Sequence, residues 1–141
     1  MSAADLDDIF EFMRFLLERI SLFFDITALA KKGDLGYFFS PPEYRKEKLF
    51  WKKDTDEAKL KERLIKTKEL LSGISSSNFT KGNVKNILSD YAEKEGRGSV
   101  LWPLRVALSG RSESPDPFTL ASVIGKVATI RRLKKAIEIL S

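Results

Sequence analysis

The stretch Phe79-Thr80-Lys81-Gly82-Asn83-Val84-Lys85-Asn86-Ile87-Leu88-Ser89-Asp90-Tyr91-Ala92-Glu93-Lys94-Glu95-Gly96 decides the fold class. Thr80 is a fitting N-cap, because its hydroxyl can accept from an N–H of the first helical turn. Phe79 before the cap can staple onto Val84. Val84, Ile87, Leu88 and Tyr91 recur at helical spacing and predict the buried side. Gly96 predicts the stop. Helical signals of the same kind recur on both sides.

Upstream, apolar residues at Leu6, Ile9/Phe10, Met13, Leu16/Leu17, Ile20 and Phe23/Phe24 return every three or four positions, the spacing of one helix face. Asp5, Asp7 and Asp8 stand at its start, where the helix dipole favours negative charge. The pattern continues through Ile26, Leu29 and Ala30 to a stop at Gly33. Residues 34–42 predict a loop plugged by Tyr37-Phe38-Phe39 and closed by Pro41-Pro42. Tyr44 to Trp51 is basic and aromatic and carries no assignable period. A helix from about Asp54 to Ser72 buries Leu60, Leu64, Thr67 and Leu71. Asp54, Asp56 and Glu57 read as its start, Gly73 as its end, and Ser75 to Asn78 as a turn.

Downstream, Val100 to Leu108 is a short apolar segment with Pro103 suited to a first helical turn, and Gly110 ends it. The polar loop Arg111 to Asp116 leads to Asp116-Pro117, an N-cap followed by proline at the first helical position. That helix runs to Gly125. A final helix carries Val127, Ile130, Leu133, Ile137 and Leu140 on one face, with Arg131, Arg132, Lys134 and Lys135 on the others. No segment alternates as a strand does, and no repeat is present. The prediction is an all-α bundle of two small subdomains, residues 1–77 and 78–141.

The chain has 141 residues, 43% of them hydrophobic, which suffices for a real core. No apolar run approaches the roughly 18 residues of a membrane span. The acidic start, Met1 to Asp8, does not read as a secretory signal. There is no cysteine and no histidine. That excludes disulfides, Cys/His zinc sites, thiol nucleophiles and imidazole bases. A cytoplasmic setting fits. Residues 1–77 hold 14 Lys/Arg and 14 Asp/Glu, whereas residues 78–141 hold 11 and 6, so the whole net charge of +5 lies in the second part. A localised positive excess suits a polyanion partner, or serves solubility alone.

No catalytic motif survives inspection. No glycine run has nucleotide-binding spacing. Asp7 with Glu11, and Glu57 with Lys61, share helix faces, but such groups are ordinarily solvated surface. No catalytic residue and no metal ligand is assigned. The run Gly96 to Arg111 is more informative. It joins Trp102, Pro103, Arg97, Arg105 and Arg111 to glycines that permit close approach. Ser114-Pro115-Asp116-Pro117-Phe118 follows. Single-stranded RNA loops are read by such surfaces, where bases stack on aromatic, guanidinium and proline faces. The competing reading buries Trp102 and Phe118 in the core and pairs Arg105 with a carboxylate. Arg105 lies in an apolar segment, where a charge must be paired or aimed at something specific.

Trp102-Pro103-Leu104-Arg105-Val106-Ala107-Leu108-Ser109-Gly110 resembles the P-L-R-x-A-L-[ST]-G signature of bacterial glutamyl-tRNA synthetases, which are class I aminoacyl-tRNA synthetases. Ser114-Pro115-x-Pro117-Phe118, then Ile124-Gly125-Lys126, then Arg132-Leu133 and Ala136-Ile137 follow in the family's order. Upstream, Tyr37-Phe38-Phe39 resembles the aromatic step at the start of the family's anticodon-binding domain. The resemblance covers Thr80 to Leu140 closely and residues 1–75 more loosely. It implies an α-helical cage of two subdomains, the first facing the tRNA stem and the second the anticodon loop. It implies tRNA for glutamate as ligand, cytoplasmic translation as the setting, and a monomer attached to a catalytic domain of the same polypeptide.

In related enzymes the signature arginine contacts an anticodon base, a role that falls on Arg105. Trp102, Pro103, Ser114, Pro115, Pro117 and Phe118 would surround the anticodon, and Arg97, Arg111, Lys126, Arg131 and Lys134 are candidate phosphate contacts. The family's further arginine for the third anticodon base is not transferred to Arg19, because the spacing to Tyr37 differs. The H-I-G-H and K-M-S-K-S motifs of the catalytic half are absent. The fragment is therefore expected neither to bind ATP and magnesium nor to charge tRNA, whereas the parent ligase would do both. Two alternatives of other kinds are a helical protein-interaction domain docking an acidic partner and the related domain of a class I lysyl-tRNA synthetase.

Overall fold

The computed structural model describes residues 2–29, 36–52 and 54–141, and every described element is helical. Helix α1 spans Ala3–Leu29. It opens on a reciprocal cap: the Asp5 N–H donates to the Ser2 hydroxyl at 3.2 Å, and the Ser2 N–H donates to the Asp5 carboxylate at 3.0 Å. The expected stop at Gly33 and the passage through Ala30 lie outside the described residues. Helix α2, Gly36–Phe39, is a single turn where the sequence predicted loop. Its Tyr37 is buried, as expected of a plug. The unassigned segment forms a 3₁₀ turn, Lys46–Leu49, and Leu49 is fully buried.

Helix α3, Glu57–Ser72, starts three residues later than Asp54 because Asp56 takes the cap, accepting from the Lys59 N–H at 3.1 Å. Leu60, Leu64, Thr67 and Leu71 are buried as predicted. A 3₁₀ turn, Ser76–Asn78, leads to α4, Lys81–Glu95. Thr80 caps α4 by accepting from the Asn83 N–H at 3.2 Å. Phe79 and Val84 are both fully buried. Two predicted positions differ. Ile87 is exposed and Tyr91 only half-buried, while Ala92 is buried. A small side chain is what the close crossing of α4 on its neighbours accepts there.

Gly96 has φ of 103°, which favours glycine, and α5, Arg97–Ser109, begins immediately after it. Pro103 therefore lies inside α5 rather than in its first turn. Its missing N–H removes the bond to the Ser99 carbonyl. Packing outweighs that loss, because Val100, Leu104, Val106, Ala107 and Leu108 are all essentially inaccessible to solvent. Gly110, left-handed at φ 69°, ends α5. Helix α6, Pro117–Ile124, has Asp116 at its cap and proline in its first turn, as predicted. Helix α7 spans Lys126–Ile139.

Helix α5 is central. It packs on α3, α4, α6, α7 and the Lys46–Leu49 turn, while α3 lies along α7, and α1 rests on α6. The main buried cluster runs from Tyr37 to Leu140 and has members on both sides of residue 77. The stripe of α7 is rotated from the predicted one. Thr129, Arg132, Leu133, Ala136 and Leu140 face inward, and Val127 faces solvent. Arg132 was expected outside. It is buried because its guanidinium donates to the Leu108 carbonyl at 2.6 Å, satisfying an acceptor at the end of α5. Burial pushes its pKa down.

Candidate nucleic-acid interface

Arg105 emerges half-exposed from the middle of α5. Its Nη1 donates to the Ser114 carbonyl at 2.6 Å and approaches the Ser114 hydroxyl at 3.4 Å. No carboxylate pairs with it among the described residues. The guanidinium therefore braces the Arg111–Asp116 loop from one side and keeps further N–H donors for a ligand. A second brace is Ser109. Its hydroxyl donates to the Arg105 carbonyl at 2.9 Å and accepts from the Arg111 N–H at 3.1 Å. Gly110 between them must be small as well as left-handed, since a Cβ there would fall 2.7 Å from Pro42 Cβ.

The far end of the loop is fixed by Asp116. It accepts from the Thr119 N–H at 3.0 Å and the Thr119 hydroxyl at 2.7 Å, and Lys81 lies 3.8 Å away. Burial pushes the Asp116 carboxyl up, but the Thr119 donors, Lys81 and the Phe118 N–H together hold it below its usual 3.8. A carboxyl with a depressed folded pKa stabilises the fold above the unfolded value and loses that contribution as acid titrates the folded group. Asp116→Ala should cost about 1 kcal/mol at neutral pH through the lost cap. Asp116→Asn should keep the cap and lose the pH dependence. Urea midpoints at neutral and acidic pH check this: the gap between them should narrow in Asp116→Asn.

The other predicted residues separate into two groups. Ser114, Pro115 and Phe118 are half-buried at the loop, with Phe118 leaning on the core. Pro103 and Pro117 are buried, so they shape the surface from beneath. Trp102 combines both readings: it packs against the core, and its indole N–H donates to the Lys48 carbonyl at 2.9 Å. Arg111 stacks its guanidinium over the Tyr37 ring at 5.6 Å. Arg97 is exposed and pairs with Glu93 at 3.2 Å. Lys126 donates to the Ser72 carbonyl at 3.1 Å. Arg131 and Lys134 are exposed on α7, and Lys134 borders a groove that α7 forms with Ile65 and Lys68 of α3.

Two residues outside the predicted set matter. Arg19 of α1 donates to the Val123 carbonyl at 2.7 Å, close against Gly125, so it clasps the end of α6. Trp51 covers Gly98, whose missing side chain was read as room for a ligand; a Cβ there would lie 2.2 Å from the indole. Neither had a sequence signal, because each partner is remote in the chain. Among the described residues no carboxylate cluster could hold a metal ion, and no helix is long and apolar enough to cross a membrane.

Comparison with known proteins agrees with this arrangement. The family model described as "Anticodon binding domain" matches residues 2–137. A glutamate–tRNA ligase of Chloroherpeton thalassium is 35% identical over 72% of this chain and 20% of its own length. One from Flavobacterium johnsoniae is 31% identical over 86% of this chain and 22% of its own length. A crystal structure of a glutamate tRNA ligase from Elizabethkingia meningosepticum, in complex with its amino acid, superposes with a TM-score of 0.65 at 34% identity, covering 77% of this chain and 21% of that one. The chain thus spans about a fifth of the length of these relatives. All-helical from end to end of its described residues, with the signature arginine braced against a proline-bounded loop, the chain belongs to the anticodon-binding domain family.

Proposed function

We propose that this domain reads the anticodon loop of the tRNA for glutamate, as the C-terminal part of a glutamate–tRNA ligase. The observation that carries the reading is the Arg105 guanidinium, held by the Ser114 carbonyl at 2.6 Å and half-open to solvent. A planar donor fixed on a rigid loop suits the hydrogen-bonding edge of an unstacked base. Ser114, Pro115, Phe118 and the exposed part of Trp102 flank it as stacking and backbone contacts, over a floor formed by Pro103 and Pro117. Arg97, Arg111, Lys126, Arg131 and Lys134 neutralise phosphates. Residues 78–141 serve the anticodon loop and residues 1–77 the stem. Catalysis, with ATP and magnesium, belongs to the remainder of the ligase, in the cytoplasm. This domain itself requires no cofactor.

Chemical-shift mapping with a glutamate anticodon stem-loop tests the reading. Shifts should concentrate at Arg105 and residues 111–118, and a lysine stem-loop should produce weaker ones. Shifts elsewhere, or equal response to both RNAs, would remove it. Lys134→Ala should weaken binding to every stem-loop alike. The slope of log affinity against log salt should shrink by roughly 0.7 if Lys134 neutralises one phosphate of single-stranded RNA.

A further inference from the structure

Helix α1 carries two apolar faces, and the fold uses only one. Phe15, Arg19 and Leu22 are the half-buried side, which rests on α6. About 180° around the helix, at 100° per residue, stand Leu6, Phe10, Met13, Leu17 and Ile20. Their spacing alternates four and three residues, the repeat of a coiled-coil seam. All five are exposed, from 43% for Leu6 to 63% for Leu17. The first half of the helix needs a partner for a second reason. Every residue from Ser2 to Arg14 is exposed, and an isolated helix of about a dozen residues is marginal in water.

The charge of α1 narrows the choice of partner. The helix holds six carboxylates against two arginines, which repels RNA and anionic membranes alike. The seam instead complements itself. Laid antiparallel against a second copy, Leu6 meets Leu17 of that copy and Phe10 meets Met13, each twice. In that same register the residues flanking the seam also match. Asp7 faces Arg14 of the second copy on one edge, and Ile9 faces Leu16 on the other. The fractional exposures correspond to on the order of 700 Å² of apolar surface per copy, close to the roughly 800 Å² per partner of a standard interface.

We propose that the outer face of α1 is a homodimer interface, an antiparallel two-helix seam closed by two Asp7–Arg14 pairs. This replaces the monomer expected from the sequence, and the dimer forms whether or not the domain reads an anticodon. The surface is isologous, so it closes at two copies.

Sedimentation equilibrium of the chain tests it. At tens of micromolar the protein should run at twice its 16.0 kDa mass. Leu17→Lys should run as a single chain with unchanged helical circular dichroism. Arg14→Asp should weaken the dimer severalfold, and the double exchange Asp7→Arg/Arg14→Asp should restore it. If Leu17→Lys loses helicity, the charge exchange still decides. A wild-type chain that stays monomeric, a Leu17→Lys dimer, or an exchange that fails to rescue would each overturn the proposal.

Discussion

An Arg105→Ala variant is expected to bind a glutamate anticodon stem-loop at least tenfold more weakly and to lose preference among anticodon bases. Hydrogen bonds to a charged group contribute about 1.5–3 kcal/mol, which is roughly 10- to 150-fold in affinity. Two losses coincide at this position. The base loses its donor, and the loop loses the strut between α5 and the Ser114 carbonyl. Arg105→Lys separates them. It keeps the charge but not the planar fork, so general attraction should persist while discrimination falls. Affinities for stem-loops substituted at each anticodon position give the readout. Unchanged selectivity in Arg105→Ala would remove the role assigned to it.

Gly98→Val should destabilise the fold by about 3 kcal/mol and lower Tm on the order of 10 °C, because the side chain has no space to enter. A Cβ at Gly98 lies 2.2 Å from one Trp51 ring atom and 2.3 Å from another, so the indole must leave its seat. A far-end methyl could swing aside, but a ring in edge contact with the helix cannot. Displacing it also exposes the joint between the Lys46–Leu49 turn and α5. The cost should shrink sharply in a Trp51→Ala background, and the difference is the coupling energy of the pair. Additive effects in that cycle would show that Gly98 is small for some other reason. Urea titrations of the four proteins suffice.

Local chemistry announced most of the fold. Thr80 and Asp116 cap the helices they were expected to cap, since both ends of a cap interaction lie within three residues. The Leu60, Leu64, Thr67 and Leu71 stripe was readable for the same reason: periodicity is a local property. Errors fell where the deciding partner is remote. Arg132 looked like surface among its basic neighbours, and only the Leu108 carbonyl, 24 residues away, makes it interior. Pro103 suggested a helix start, because nothing nearby shows that Gly96 joins α4 directly to α5. At the candidate site, the pattern of residues marked Arg105 and the loop. It did not distinguish Pro103 and Pro117, which lie beneath the surface, from Pro115, which lies in it.

The two guanidiniums clasping helix ends bear on how the domain meets a polyelectrolyte. Arg132 caps α5 through Leu108, and Arg19 caps α6 through Val123. Each is oriented by a fixed carbonyl and partly shielded from water, so neither can exchange places with sodium or potassium condensed along a nucleic-acid strand. Counting cations in the composition therefore overstates the number of ions that binding sets free. The ionic-strength response of this domain should be shallower than its isoelectric point of about 9.4 suggests.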